Sequence, residues 1–178
     1  MKERLNYFTV ASLIFVLDQF SKSWASTLQN RPGVPVIDGF FHFSYVENAG
    51  IAWGLFSDAG LAGKVVLGAI SVVAALGIFL YAIRTPPAER ITLWGLSLVL
   101  GGVLGNLTDR VARGAVFDFL DFTIGNYKWP TFNLADLVIS LGAVILIVDA
   151  LRSAPDQAPM TTGPHRPNAK VDERGCTL

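Results

Sequence analysis

Four long apolar stretches constrain this chain more than any other feature. They run over roughly residues 7–25, 61–83, 91–109 and 132–151, and each approaches the ~20 residues that a helix needs to cross a bilayer. Each is too long for a buried strand, and none has the broad polar face of a helix packed on a soluble core. The expected class is a membrane α-helical protein built as a four-transmembrane-helix bundle. Charged residues make up only 16% of the chain and mean hydropathy is +0.47, whereas a soluble domain carries about 25% charged residues. Lys2-Glu3-Arg4 ahead of an apolar run also has the look of a signal peptide, with small residues at Ala25-Ser26 for cleavage. Asp18 would spoil the apolar core of such a signal, so an uncleaved first helix is expected.

The joints between the stretches differ in kind. Residues 84–90 form a tight turn containing Pro86 and Pro87. The two longer joints carry Phe40–Val46 and Val116–Phe122, rich in aromatic and β-branched residues and therefore strand-like. After Arg152 the chain turns polar and proline-rich. The reading is a membrane domain over 1–152 and a disordered cytoplasmic tail over 153–178.

Basic residues orient the helices. Lys2, Arg4, Arg84, Arg90, Arg152, Arg166, Lys170 and Arg174 fall on one side, against Lys22, Arg31, Lys64, Arg110, Arg113 and Lys128 on the other. This bias puts both termini in the cytoplasm and both long joints outside. Lys plus Arg equals Asp plus Glu, 14 each, so no net field draws the chain to nucleic acid. Cys176 is the single cysteine and His42 and His165 are the only histidines, which argues against a disulfide framework and against a zinc or multi-histidine centre. No metal and no cofactor is expected.

In an up-down bundle the polar residues converge at the outer end. Asp18 and Lys22 lie late in the first stretch, Asn106, Asp109 and Arg110 close the third, Asn133 and Asp136 open the fourth, and Asp118 sits in the joint between these last two. Ionisable groups at membrane depth are costly and point to function, yet each has a plainer reading. Asp18 and Lys22, four apart, could neutralise each other while Lys22 snorkels. Asp109 and Arg110 could be an interfacial pair, Asn106 a helix–helix hydrogen bond, Asn133 a helix cap and Gly101–Gly105 a close-packing stripe. Trp53, Trp94 and Trp129 fit an interfacial belt. At the inner end Asp149 has Arg152 one turn away as a structural partner. Asp118 and Asp136 resist such readings, because both sit among apolar neighbours. Desolvated carboxyls close together cannot easily both ionise, so one can activate water while the other donates a proton. A proton-coupled transporter would instead string acids between both faces, often within an internal repeat, and a membrane scaffold would use the charges only as helix glue.

Five motifs carry a resemblance: Asp18-Gln-Phe-Ser-Lys22, Asn48-Ala-Gly-Ile-Ala-Trp-Gly54, Gly105-Asn-Leu-Thr-Asp-Arg110, Val116-Phe-Asp-Phe119 and Phe132-Asn-Leu-Ala-Asp136. In this order, over about residues 5–152, the chain resembles the bacterial lipoprotein signal peptidases (signal peptidase II), membrane aspartyl proteases. The resemblance implies a catalytic dyad at Asp118 and Asp136, with supporting positions at Asp18, Lys22, Asn48, Gly54, Asn106, Asp109, Arg110 and Asn133. It implies cleavage of prolipoproteins just before a diacylglyceryl-modified lipobox cysteine, in the cytoplasmic (inner) membrane with the site near the outer face. It implies inhibition by globomycin-type compounds, contact with membrane lipids, a small extracytoplasmic β-cradle and a short amphipathic helix. A monomer is expected. Trp53 stands where the family more often has Phe, and the tail after Arg152 has no counterpart in the family core.

Overall fold

The computed structural model describes residues 2–50 and 60–153. Gly54, Trp53 and the tail from residue 154 therefore lie outside the described residues, whereas Ser153, expected to open the tail, is the last residue of the fourth helix. Helices α1 (Lys2–Ser26), α2 (Gly60–Arg84), α3 (Arg90–Arg113) and α4 (Leu134–Ser153) alternate with strands β1 (Val34–Ile37), β2 (Phe41–Asn48), β3 (Val116–Ile124) and β4 (Tyr127–Lys128). The strands form one antiparallel sheet in the order β1-β2-β3-β4. The two strand-like patches are its central pair. The edge strands were not foreseen, since β1 contains Pro35 and is exposed throughout, and β4 is only two residues long. Among the described residues the joints hold no further helix, so the expected short amphipathic helix is not found there.

Three helices, α2, α3 and the stretch Leu134–Arg152 of α4, are long and apolar enough to cross a membrane. Helix α1 is as long as α2 but interrupts its apolar run with Asp18, Gln19 and Lys22. Its outward side is nonetheless apolar, with Leu13, Val16, Leu17 and Phe20 exposed. Helix α3 is the centre: 56% of its span is buried, against 17% for α2 and 11% for α4, and it packs on each of the other three. Its glycines allow that. A Cβ on Gly101 would lie 2.7 Å from the Ala11 carbonyl of α1, and one on Gly102 would lie 2.6 Å from the Ala135 carbonyl of α4. The small-residue stripe is thus packing, as expected, but shared between two neighbours.

The ends follow local chemistry. Pro86 and Pro87 follow the end of α2, and a ring nitrogen has no N–H to continue it. The Arg4 guanidinium reaches across from α1 and donates to the carbonyls of Ile83 and Thr85, satisfying the end of α2 with a cation. Gly114, at φ 76°, ends α3 in the left-handed conformation with its N–H on the Arg110 carbonyl. Helix α3 therefore runs past the expected end and carries Asp109, Arg110 and Arg113 on its final turns.

Two expected pairs are not formed. Asp149 accepts a hydrogen bond from the Thr92 hydroxyl of α3, and no Asp149–Arg152 ion pair is present among the described residues. Helix α3 approaches closely enough there to offer a neutral donor, which competes with a flexible arginine at the membrane surface. Asp109 pairs with Lys22 and Arg113 rather than with its neighbour Arg110, because adjacent helical positions point apart.

Candidate active site

The sheet brings two distant joints together at one end of the bundle. Asn48 of β2 and Asp118 of β3 come close because Val46 pairs with Asp118 and Asn48 with Val116. Strand alternation then sorts β3. Phe117, Phe119 and Asp121 point to one face, where Trp24 of α1 meets Phe119 edge-on, ring centroids 6.5 Å apart. Asp118, Leu120 and Phe122 point to the other, where Phe122 stacks on Phe132 at 5.8 Å. Asp118 is thereby turned toward the start of α4.

Beneath it lies an ionic cluster with no exposure. Lys22 lies 2.9 Å from Asp18 and 2.8 Å from Asp109, and all three side chains are 0% exposed. The snorkelling expected of Lys22 is replaced by an inward turn, because two carboxylates on facing helices solvate the ammonium better than the lipid-facing side can. Arg113 adds a second cation on Asp109 at 3.2 Å and sits 4.7 Å from the centre of the Phe117 ring. The other Asp18 oxygen, Oδ1, accepts from the Ala135 backbone N–H at 3.0 Å, an anion on one of the N–H groups that lack an intrahelical partner at the start of α4.

Three asparagines carry polarity from this cluster to the carboxyls above. Lys22 has only donors, so Asn106 must face it with Oδ1, at 2.8 Å. Its Nδ2 is then left to donate to Asp136 Oδ1, also at 2.8 Å. Asn133 caps α4: its Oδ1 accepts from the Asp136 N–H at 3.0 Å, and the Asp136 carboxylate accepts in return from the Asn133 N–H at 3.3 Å, a reciprocal capping box. The Asn133 Nδ2 is consequently free to donate to Asp118 Oδ1 at 2.6 Å. Asn48 spends its oxygen on the Gly50 N–H and donates Nδ2 to Asp118 Oδ2 at 3.0 Å. Asn133 was expected either as a plain cap or as a supporting site residue; it caps α4 and also hydrogen-bonds both carboxyls.

Asp118 is 2% exposed. Burial, and then the negative charge of Asp136, push its carboxyl up to about 7, against the opposing hydrogen bonds from Asn48 and Asn133 and the charge of Lys22. Both carboxyls open on one cleft of about 680 Å³, whose lining includes Asn48, Asn106, Arg110, Asp118 and Asp136. Asp18, Lys22, Asp109 and Asn133 stand behind it. Apart from Gly54, every residue singled out in the sequence as a site candidate belongs to this connected assembly. Among the described residues no three His, Cys, Asp or Glu side chains converge as metal ligands.

Other parts of the cleft were missed. Ser140 and Ile139 line it from α4, and Tyr127, Trp129 and Thr131 from the segment before α4. Ser140, alone among apolar neighbours four residues after Asp136, was a signal available in the sequence. Asp121 was missed as well; it turns away from the cleft and ties β3 to Lys128 at 2.9 Å and to Ser44 at 3.4 Å.

The fold and site together define a helical membrane protein with a polar cleft, carrying two carboxyls, at one end of its bundle. The sequence pattern of the family described as signal peptidase (SPase) II matches residues 10–152, and the chain belongs to that family. It is 39% identical over 161 residues to a lipoprotein signal peptidase of Syntrophus aciditrophicus, covering 89% of this chain and all of that one. It is 40% identical over 152 residues to the lipoprotein signal peptidase of Francisella tularensis subsp. novicida, covering 85% of this chain and 94% of that one. A solved bacterial membrane enzyme superposes with a TM-score of 0.74 at 28% identity, over 86% of this chain and 92% of that one. A second does so with a TM-score of 0.72 at 29% identity, over 83% and 94%.

Proposed function

We propose that this chain is an intramembrane aspartyl endopeptidase that removes signal peptides from diacylglyceryl-modified prolipoproteins, cutting before the lipidated cysteine. The observation that carries the reading is Asn133, which holds Asp118 through its side chain and Asp136 through its backbone N–H. Two carboxyls fixed on one asparagine at a shared cleft suit acid–base hydrolysis. One takes a proton from water as the water oxygen attacks the scissile carbonyl; the other gives a proton to the nitrogen as the C–N bond breaks. With its carboxyl pushed up to about 7, Asp118 is available in its protonated form near neutral pH. Relatives carrying the lipoprotein signal peptidase name support the substrate class.

Helix α1 completes a four-span bundle in this reading, its charges turned inward on α3 and its apolar side outward. Both termini lie in the cytoplasm of a bacterial inner membrane and the cleft near the outer face. A substrate anchored by its acyl chains reaches the cleft sideways through lipid, and globomycin-type inhibitors compete for the same space. Asp18, Lys22, Asn48, Asn106, Asp109, Arg110 and Asn133 position the dyad or the peptide, and the enzyme works as a monomer without a metal.

The test is cleavage of a diacylglyceryl lipobox peptide by purified protein in detergent. Asp118→Asn and Asp136→Asn are each expected to lose about 100- to 10,000-fold in rate while still purifying as folded membrane protein. Substantial turnover by either variant removes that residue from the dyad, and failure of the wild type to release the signal peptide removes the activity.

A further inference from the structure

Helix α4 carries one polar side chain between Asp136 and Asp149, and that residue is Ser140. Elsewhere in the bundle most hydroxyls on helices are consumed locally; Thr92 instead donates across to Asp149, and Ser23, exposed on α1 outside the cleft, has no partner among the described residues. Thr9, Ser12, Ser71, Ser97 and Thr108 each donate to the carbonyl four residues earlier, at 2.7–2.9 Å. Ser140 makes no such bond, and among the described residues its hydroxyl has no partner. It is exposed and lines the same cleft as Asp118 and Asp136.

Its position gives that hydroxyl a use. Four residues along a helix is about 6 Å, so Ser140 lies one turn beyond Asp136, toward the middle of the membrane. A peptide bond can be attacked only where the substrate is extended, and an extended peptide at membrane depth exposes N–H and C=O groups that lipid cannot satisfy, each costing several kcal/mol. An extended chain advances about 3.3 Å per residue, so one helical turn corresponds to about two substrate residues. We infer that Ser140 is a substrate-binding residue whose hydroxyl hydrogen-bonds the backbone of the extended signal-peptide segment about two residues from the scissile bond. The inference rests on the peptidase reading above and deepens it. It gives the cleft a backbone-reading contact on its membrane side, insensitive to the substrate's side chains.

Steady-state cleavage of the lipobox peptide by Ser140→Ala, Ser140→Thr and Ser140→Val tests it. Thr and Val have nearly the same shape and differ in the hydroxyl, so loss of packing and loss of the hydrogen bond separate. The expected result is a KM raised about 2- to 10-fold in the Ala and Val variants, the worth of one hydrogen bond, with kcat within about twofold and Thr close to wild type. A Val variant as active as the Thr variant, or a loss confined to kcat, overturns the inference while leaving the peptidase standing. A wild-type protein that cleaves nothing overturns both.

Discussion

A lysine four residues after an aspartate on an apolar helix can stretch outward to the membrane surface or turn inward. Lys22 turns inward because α3 presents Asp109 and Asn106 where the side chain ends. The sequence could not decide this, since the spacing of 18 and 22 serves either outcome and the partners come from a helix more than eighty positions away. Breaking such a buried set by removing one member costs about 3–5 kcal/mol, which is why its three buried charges, Asp18, Lys22 and Asp109, read as one unit. Asp118 has the opposite problem, being buried beside another acid. Its carboxyl sits at about 7 in the folded protein against an ordinary 3.8, so the folded state holds this proton more tightly than the unfolded state does. The resulting stabilisation is complete below about pH 4, shrinks as pH rises, and is gone above about pH 7. An Asn at 118 does not titrate. Thermal melts from pH 4 to 8 should therefore show a fall in Tm with pH that is steeper in wild type than in Asp118→Asn. The Asn variant should also start lower in acid, since one side of its amide would face a donor from Asn48 or Asn133. Parallel slopes for the two proteins would contradict the raised carboxyl.

At the scale of elements, much of the architecture was legible. Apolar runs gave the four helices nearly to their ends, and aromatic patches gave β2 and β3. What could not be read was partnership. Nothing along the chain says that Val46 pairs with Asp118 or that Gly101 and Gly102, adjacent in sequence, serve different neighbours. The clearest case is Gly105. In the sequence it closes a small-residue pattern and looks like a place where two backbones approach. In the fold it is a seat for a side chain: a Cβ there would collide with Asp18 Oδ2. Asp18 has little room to yield, because one oxygen caps α4 at Ala135 and the other faces Lys22. Gly105→Ala should cost about 1–3 kcal/mol of stability and depress peptide cleavage, by tilting the start of α4 that carries Asn133 and Asp136. Gly68→Ala on α2, where a Cβ meets nothing within 4 Å, should leave both unchanged and serves as the control. Equal Tm values for the two variants would mean that Asp18 moves freely and does not fix α4.

For the whole molecule, the decisive property is that every charged member of the site sits at one end of the bundle, while Arg4, Asp149 and Arg84 mark the other. A site confined to one end can serve a substrate on one side of the membrane only, so the proposed activity depends on which way the bundle is inserted. The basic residues favour cytoplasmic termini, but only weakly, since the outer joints also carry Arg31 and Lys128. The buried cluster changes how that balance should be counted. Lys22 is neutralised inside the protein by Asp18 and Asp109 and presents no positive charge to the outer surface, whereas Arg113, though paired with Asp109, is partly exposed; leaving Lys22 out makes the bias toward cytoplasmic termini stronger than the raw comparison of basic residues. The chain carries its own probe of this. Cys176 is its only cysteine, two positions before the last residue. A membrane-impermeant maleimide should leave it unlabelled in intact spheroplasts and label it in inverted inner-membrane vesicles. Lys128→Cys at the opposite end of the bundle, combined with Cys176→Ser so that it is the one thiol, should show the reverse pattern. Labelling of Cys176 from outside intact cells would place the carboxyl-bearing cleft at the cytoplasmic face, where an exported, lipid-modified precursor could not reach it.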